Sequence, residues 1–303
     1  MLIVLEQVAI LLVFCGIGYV LAKKNILKAR EGGLLSGMLV YVFMPATCFN
    51  TCAANCTVAY IREKYPLILV SAGILVAIIL ISKVLVRFMG KPSYLRDVYE
   101  YSLIIPNTGY IGYPLVLSLY GSTGLLDMLI FGLPLILYTY TIGYNLLTDR
   151  RKEKFSLKKV LTPVTVAMLL GCVVGLSGVK LPGVFTQVVE KSAACLAPIG
   201  TLLMGMSISE FSFRQMLSDK RIYWITALRL AVIPLAVFAA LKLGRWEFAM
   251  MPAICSYAMP CGINSIIFPK LIGQECHNGA GLVLVSTILS IVTVPLCVYF
   301  MIG

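Results

Sequence analysis

Two proline-bounded stretches carry the residue types best suited to recognising a ligand: Pro106-Asn107-Thr108-Gly109-Tyr110-Ile111-Gly112-Tyr113-Pro114 and Pro260-Cys261-Gly262-Ile263-Asn264-Ser265-Ile266-Ile267-Phe268-Pro269. Asn107 offers two amide donors and Thr108 a hydroxyl, while Gly109, Gly112 and Gly262 let backbone approach a ligand closely. Proline removes a backbone donor and clashes with the preceding turn, so a helix breaks there. The half-helix that restarts has unpaired N–H groups and a partial positive charge of roughly half an elementary unit. A carboxylate fits that field. The chemistry is binding, because no nucleophile, base or metal constellation accompanies these residues; neither an enzyme nor a cofactor is expected. Asn107 also has a plainer role open to it, since its amide can cap the broken helix.

Charged side chains inside apolar segments are the next candidates, because each is costly at membrane depth. Arg229 lies eight residues beyond Arg221, about 12 Å deeper at 1.5 Å per residue. It can hold a substrate carboxylate, pair with Glu100 or lock two helices. Glu100 stands one and a half turns before Pro106, where it could titrate in function or simply sit at the interface. Lys83 precedes Arg87 by one turn and can snorkel to the headgroups.

The elements that must position these residues are apolar segments. Sixty per cent of the 303 residues are apolar, 13% are charged and the mean hydropathy is +0.94, whereas a soluble domain carries about 25% charged residues. A span needs about 20 predominantly apolar residues. Ten segments qualify, near 3–22, 33–53, 65–88, 97–119, 124–147, 160–179, 185–207, 221–243, 247–270 and 279–301; they are called spans 1 to 10 below. The fold class expected is therefore an all-α polytopic membrane protein.

Basic residues accumulate in cytoplasmic loops. Of the 25 Lys and Arg, 17 fall in the odd-numbered loops and six in the even-numbered ones, which places both termini outside the cell membrane. The net charge of +12 then reads as an inner-leaflet signature, and the lipid bilayer, not nucleic acid, is the expected partner. The ten cysteines show no CxxC spacing, so no zinc or redox site is expected. Cys48, Cys52 and Cys56 share one face of span 2, read as small residues packing at a helix interface.

The chain also repeats itself at an interval near 155 residues. Gly18 corresponds to Gly175, Pro106 to Pro260, Pro114 to Pro269 and Ser122 to about Asn278, with offsets of 154 to 157. Residues 1–147 and 160–303 form the two halves, joined by a linker at 148–159 that carries eight charged residues. Five spans per half is an odd number, so the second half enters the membrane from the opposite side and the repeat is inverted. Gly/Pro-interrupted spans at corresponding places in two halves point to a transporter's binding site. The expected contacts are Pro106, Asn107, Thr108 and Gly109 in span 4, with Pro260, Cys261, Gly262 and Asn264 in span 9.

Pro106-Asn107-Thr108-Gly109 with Gly112-Tyr113-Pro114-Leu115, Ala197-Pro198-Ile199-Gly200 with Met204-Gly205-Met206-Ser207, and Ser286-Thr287-Ile288-Leu289-Ser290 with Pro295 resemble the auxin efflux carrier family over essentially the whole chain. The resemblance implies a ten-helix 5+5 inverted-repeat fold, related to bile-acid and sodium/proton transporters, that moves organic anions. It further implies a scaffold of spans 1, 2, 6 and 7, a mobile unit of spans 3 to 5 and 8 to 10, and a homodimer through the scaffold. The long central hydrophilic loop of many plant members is missing, and short bacterial relatives are associated with small carboxylates such as malate or malonate. Pro45 and Pro198 would shape the scaffold wall facing the cavity, with Asn50 a polar contributor.

The functional expectation is an efflux carrier for a small organic anion working by alternating access, with Glu100 the candidate for proton coupling. A cation-coupled symporter or antiporter of the same fold group is the alternative, weakened by the lack of a carboxylate pair at the crossover. A membrane receptor that keeps the site without transport is a third reading.

Overall fold

The computed structural model describes residues 2–27, 29–88, 93–148, 160–274 and 276–302, so all of the expected linker except Thr148 lies outside the described residues. Among the described residues every regular element is helical. Among the described residues seven helices are long and apolar enough to cross a membrane: Leu2–Lys23, Glu31–Asn55, Val58–Arg87, Thr108–Phe131, Gly183–Ser209, Arg221–Gly244 and His277–Met301. A shorter apolar helix, Pro163–Ser177, occupies the place of span 6.

The segments expected as spans 4, 5 and 9 come in pieces. Ser93–Ile104 precedes the first break, and Met250–Tyr257 and Asn264–Leu271 flank the second. Within Thr108–Phe131, Gly121 has φ 67° and ψ −167°, a conformation that glycine tolerates without a β-carbon penalty. The chain turns there between the second half of span 4 and the start of span 5.

Proline also explains a repeated local feature. Three five-residue π-helical stretches, Leu39–Phe43, Thr108–Gly112 and Leu228–Val232, each run into a proline two residues later, at Pro45, Pro114 and Pro234. In each, the residue before that proline donates five residues back, as Met44 N–H does to Leu39 O, Tyr113 N–H to Thr108 O and Ile233 N–H to Leu228 O. The extra residue widens the turn that the proline ring would otherwise crowd, and helices continue through it.

Spans 1 and 7 cross with their backbones in contact, and so do spans 2 and 6. A β-carbon on Gly18 would lie 2.1 Å from the Leu202 carbonyl oxygen, and one on Gly205 would lie 1.9 Å from that of Cys15. Gly171 and Gly175 are also tight, against Phe49 and Cys56, with the carbonyl oxygens at 2.6 Å from the β-carbon positions. Such small-residue crossings are how helices associate in lipid, where burial of apolar surface gives no net drive. Gly205→Val is therefore expected to abolish the folded monodisperse protein in detergent, whereas Gly16→Ala, which meets nothing within 4 Å, should leave yield and thermal midpoint unchanged. Size-exclusion chromatography of the two variants reads the difference.

The buried apolar residues form two groups. One is drawn wholly from spans 3, 4, 5, 8, 9 and 10, including Leu67, Tyr99, Phe131, Leu241, Tyr257 and Leu282. The other joins spans 1, 2, 6 and 7 to the facing surfaces of spans 4, 5, 9 and 10, including Val8, Cys48, Met168, Met204, Tyr113 and Val283.

Candidate functional site

The two broken helices meet at their breaks. Pro106 and Cys261 form an isolated antiparallel bridge, in which Asn107 N–H donates to Pro260 O at 2.8 Å and Gly262 N–H donates to Ile105 O at 3.1 Å. Each unwound strand thus satisfies the backbone groups that the other's break exposes, as a low-dielectric interior requires. A β-carbon at Gly262 would lie 3.1 Å from the Ile105 oxygen, tight enough that glycine eases the crossing. Span 10 supplies a further partner: Cys261 N–H donates to Ser286 Oγ at 3.0 Å, and Ser286 Oγ donates to Leu282 O. Ser286→Ala leaves that buried N–H without an acceptor and should lower stability by about 1–3 kcal/mol, measurable as a lower thermal midpoint that Ser286→Thr partly restores.

Arg229 holds the other side of the crossing. It is fully buried, donates from Nη1 to Leu103 O at 2.8 Å and from Nε to Met259 O at 3.2 Å, and lies 5.7 Å from the centre of the Tyr257 ring. Leu103 and Met259 mark the C-terminal ends of the first halves of spans 4 and 9, where carbonyls lack intrahelical partners and the helix dipole is negative. One guanidinium therefore joins two converging negative helix ends.

On the opposite face lies a cavity of about 240 Å³ lined by Ser36, Val40, Met44, Ile105, Pro106, Asn107, Thr108, Gly109, Tyr110, Tyr113, Ile136, Thr139, Tyr140, Thr162, Val164, Thr165, Gly262, Ile263, Asn264, Ile267 and Phe268. Among these described residues the polar groups are amides, hydroxyls and backbone, with no charged side chain. Asn107 is buried; its Oδ1 accepts from Tyr110 N–H at 3.4 Å, and its Nδ2 donates to Met204 Sδ at 3.5 Å. The amide is thus a cap on one side, while its second role is held by a thioether, a weak acceptor that a carboxylate could replace. Thr108 and Gly109 belong to the first turn of the restarted helix, and Asn264 to that of Asn264–Leu271; N–H groups in first turns lack intrahelical acceptors.

Six of the expected contacts line this cavity: Pro106, Asn107, Thr108, Gly109, Gly262 and Asn264. Four do not. Pro260 and Cys261 are buried behind the crossing and act through their backbone. Arg229 does not line the cavity: Nη1 and Nε donate to main-chain carbonyls of spans 4 and 9, and Nη2 is buried without a hydrogen-bond partner among the described residues, an arrangement that fits the helix-locking role. Asn50 is displaced for a simpler reason: Met44 is the last residue of span 2 on the cavity wall, and Asn50 lies six residues further along. Glu100 is half-buried on Ser93–Ile104, off the cavity.

The wall also contains residues without a sequence signal of the kind that marked the breaks, Tyr140 among them. Tyr140 belongs to an aromatic group in which the ring of Phe268, the last residue before Pro269, is 5.2 Å from Tyr144, 6.2 Å from Tyr140 and 6.3 Å from Tyr101. Thr139 opens a fourth π stretch, Thr139–Gly143, that no proline follows. Thr162 was more legible, since Thr-Pro is a helix-start pattern; its Oγ1 accepts from Thr165 N–H at 3.2 Å.

The membrane transport protein family matches residues 3–154 and 148–298 of the chain. An uncharacterized transporter of Methanothermobacter thermautotrophicus is 22% identical over 96% of both chains. An uncharacterized transporter of Methanocaldococcus jannaschii is 25% identical over 69% of this chain and 70% of its own, and the uncharacterized transporter YfdV of Escherichia coli is 25% identical over 64% of each.

Proposed function

The chain belongs to the membrane transport protein family, the auxin efflux carrier family that its motifs resemble, and from that premise we propose that it moves a small organic anion, a carboxylate, by alternating access around the crossing of spans 4 and 9. It is a multi-pass membrane protein. The observation that carries the anion reading is the cavity at the crossing, where two restarted helices begin beside Asn107, Thr108 and Asn264 and no acidic side chain lines the described wall. Helix N-termini favour anions.

The proposal includes ten spans in two inverted halves. The paired crossings support it, because Gly18 of span 1 packs on span 7 as Gly175 of span 6 packs on span 2, which is the exchange an inverted repeat requires. The apolar group confined to spans 3, 4, 5, 8, 9 and 10 supports a mobile unit that moves as one body against the scaffold. The cavity runs from the crossing toward Ser36, Thr162 and Phe268, near the segment ends that carry the basic loops. On the loop-charge topology this is a conformation loaded from the cytoplasm, and the inside-negative potential then favours exit of an anion by about 2.3 kcal/mol per charge per 100 mV. Coupling to another ion is not required.

The wall supplies one anion-favouring region and no Lys or Arg among its described residues, so monocarboxylates should be preferred over dicarboxylates of similar size by about tenfold, which is a difference of 1.4 kcal/mol. The test is flux in proteoliposomes with a panel of labelled mono- and dicarboxylates under imposed voltage, with and without sodium or a pH gradient. Voltage-driven monocarboxylate flux without sodium is the expected result. Binding with no flux under any gradient would assign a receptor, and flux that demands a cation would assign the coupled alternative.

A further inference from the structure

The end of span 3 and the start of span 8 flank a shallow cleft of about 430 Å³ bounded by Leu85, Phe88, Lys220, Arg221 and Trp224. It lies apart from the crossing: Arg221 is eight residues from Arg229, about 12 Å along a helix. Its apolar wall is open, with Phe88 83% and Trp224 62% exposed. Its rim carries two cations, Lys220 and Arg221. Arg221 Nη1 is buried without a hydrogen-bond partner among the described residues. The nearby carboxylate, Asp219, accepts from Tyr99 OH and Asn278 Nδ2 and takes the Arg221 backbone N–H on its other oxygen. Lys83 and Arg87 add exposed positive charge on the same part of span 3.

We propose that this cleft binds an anionic phospholipid of the inner leaflet, with phosphate oxygens accepting from Lys220 Nζ and the cleft-facing part of the Arg221 guanidinium, and an acyl chain lying against Leu85, Phe88 and Trp224. An apolar groove alone would take any lipid chain. Two cations at its rim select a net negative headgroup, and a Trp at the interface holds the boundary between headgroup and chain. Loop charge puts this end of spans 3 and 8 at the cytoplasmic face, where anionic lipid is encountered. The proposal rests on the membrane-spanning reading and is independent of which anion is transported.

The chain has only two tryptophans, Trp224 and Trp246, so Trp246→Phe leaves Trp224 as a single reporter. In phosphatidylcholine vesicles doped at low mole fraction with brominated phosphatidylglycerol or brominated phosphatidylcholine, the phosphatidylglycerol should quench Trp224 as if enriched about tenfold over bulk. Trp224→Phe, which leaves Trp246, should show no preference. The double variant Lys220→Gln/Arg221→Gln should bring the two lipids to equal quenching. Equal quenching by both lipids in the otherwise unaltered protein would overturn the proposal without recourse to the cation variants, and relief of quenching by millimolar inorganic phosphate would overturn it in favour of a soluble-anion site.

Discussion

Arg229→Met is expected to destabilise the folded protein by about 2–6 kcal/mol, because each buried carbonyl left unpaired costs about 1–3 kcal/mol and both Leu103 O and Met259 O lose their donor. Two negative helix ends would then face each other without a charge between them, which adds to the loss. Arg229→Lys should recover part of it. The ammonium restores the charge but cannot present two forked N–H groups to carbonyls from different helices as a planar guanidinium does. Thermal unfolding in detergent should rank the proteins wild type, Lys, Met, with anion flux following the same order. A different outcome separates the two roles considered for this residue. If Arg229→Met keeps its thermal midpoint while KM for the anion rises alone, the guanidinium reaches the substrate and the lock assignment fails.

The same residue shows where sequence reading ran out. Arg229 stands out in the sequence as a charge at depth, and locking two helices is among the roles open to it. Its partners could not be named, because they are main-chain carbonyls 126 and 30 residues away, and a carbonyl carries no side-chain signature. The breaks were legible for the opposite reason. Proline and glycine report backbone geometry directly, so Pro106 and Pro260 place the unwinding, and the bridge between Pro106 and Cys261 lies there. Tyr140 sits in an uninterrupted apolar pattern, where inward and outward faces look alike in a chain that is apolar all round. One boundary was legible although the helix reads as continuous: the spans expected at 97–119 and 124–147 leave a gap, and Gly121, the non-helical residue within Thr108–Phe131, falls in it.

Gathering the charge balance of the crossing explains its polarity. Behind it, one arginine meets two helix C-termini; in front, two helix N-termini begin at an uncharged wall. The fixed positive charge is thus buried and bound through Nε and Nη1 to main-chain carbonyls, while the described cavity wall presents only partial charges and hydrogen-bonding groups. An anion held by partial charges is released more readily than one held by a desolvated arginine, whose charge-assisted bonds are roughly twice as strong as neutral ones. A carrier that must bind and let go in each cycle gains from that arrangement.

Asn107→Asp is the sharpest probe of this front face. The aspartate is nearly the same size and retains an oxygen to accept from Tyr110 N–H, so the capping contact survives and the cap preference of Asp equals that of Asn. What changes is the cavity side, where two amide donors become a carboxylate. Like charges about 4 Å apart repel by roughly 4 kcal/mol at an effective dielectric constant of 20, so anion flux should fall at least about 100-fold. Asn107→Ser, which keeps a cap but removes the amide donors, should fall less, by about tenfold. Circular dichroism and thermal midpoints should move little for either variant, which separates this effect from that at Arg229. Acidification to the point where the introduced carboxyl is protonated should return part of the flux in the aspartate variant and none in the serine variant. Wild-type flux from a folded Asn107→Asp protein would sink the assignment of Asn107 to the substrate, and with it the anion-binding role of the crossing.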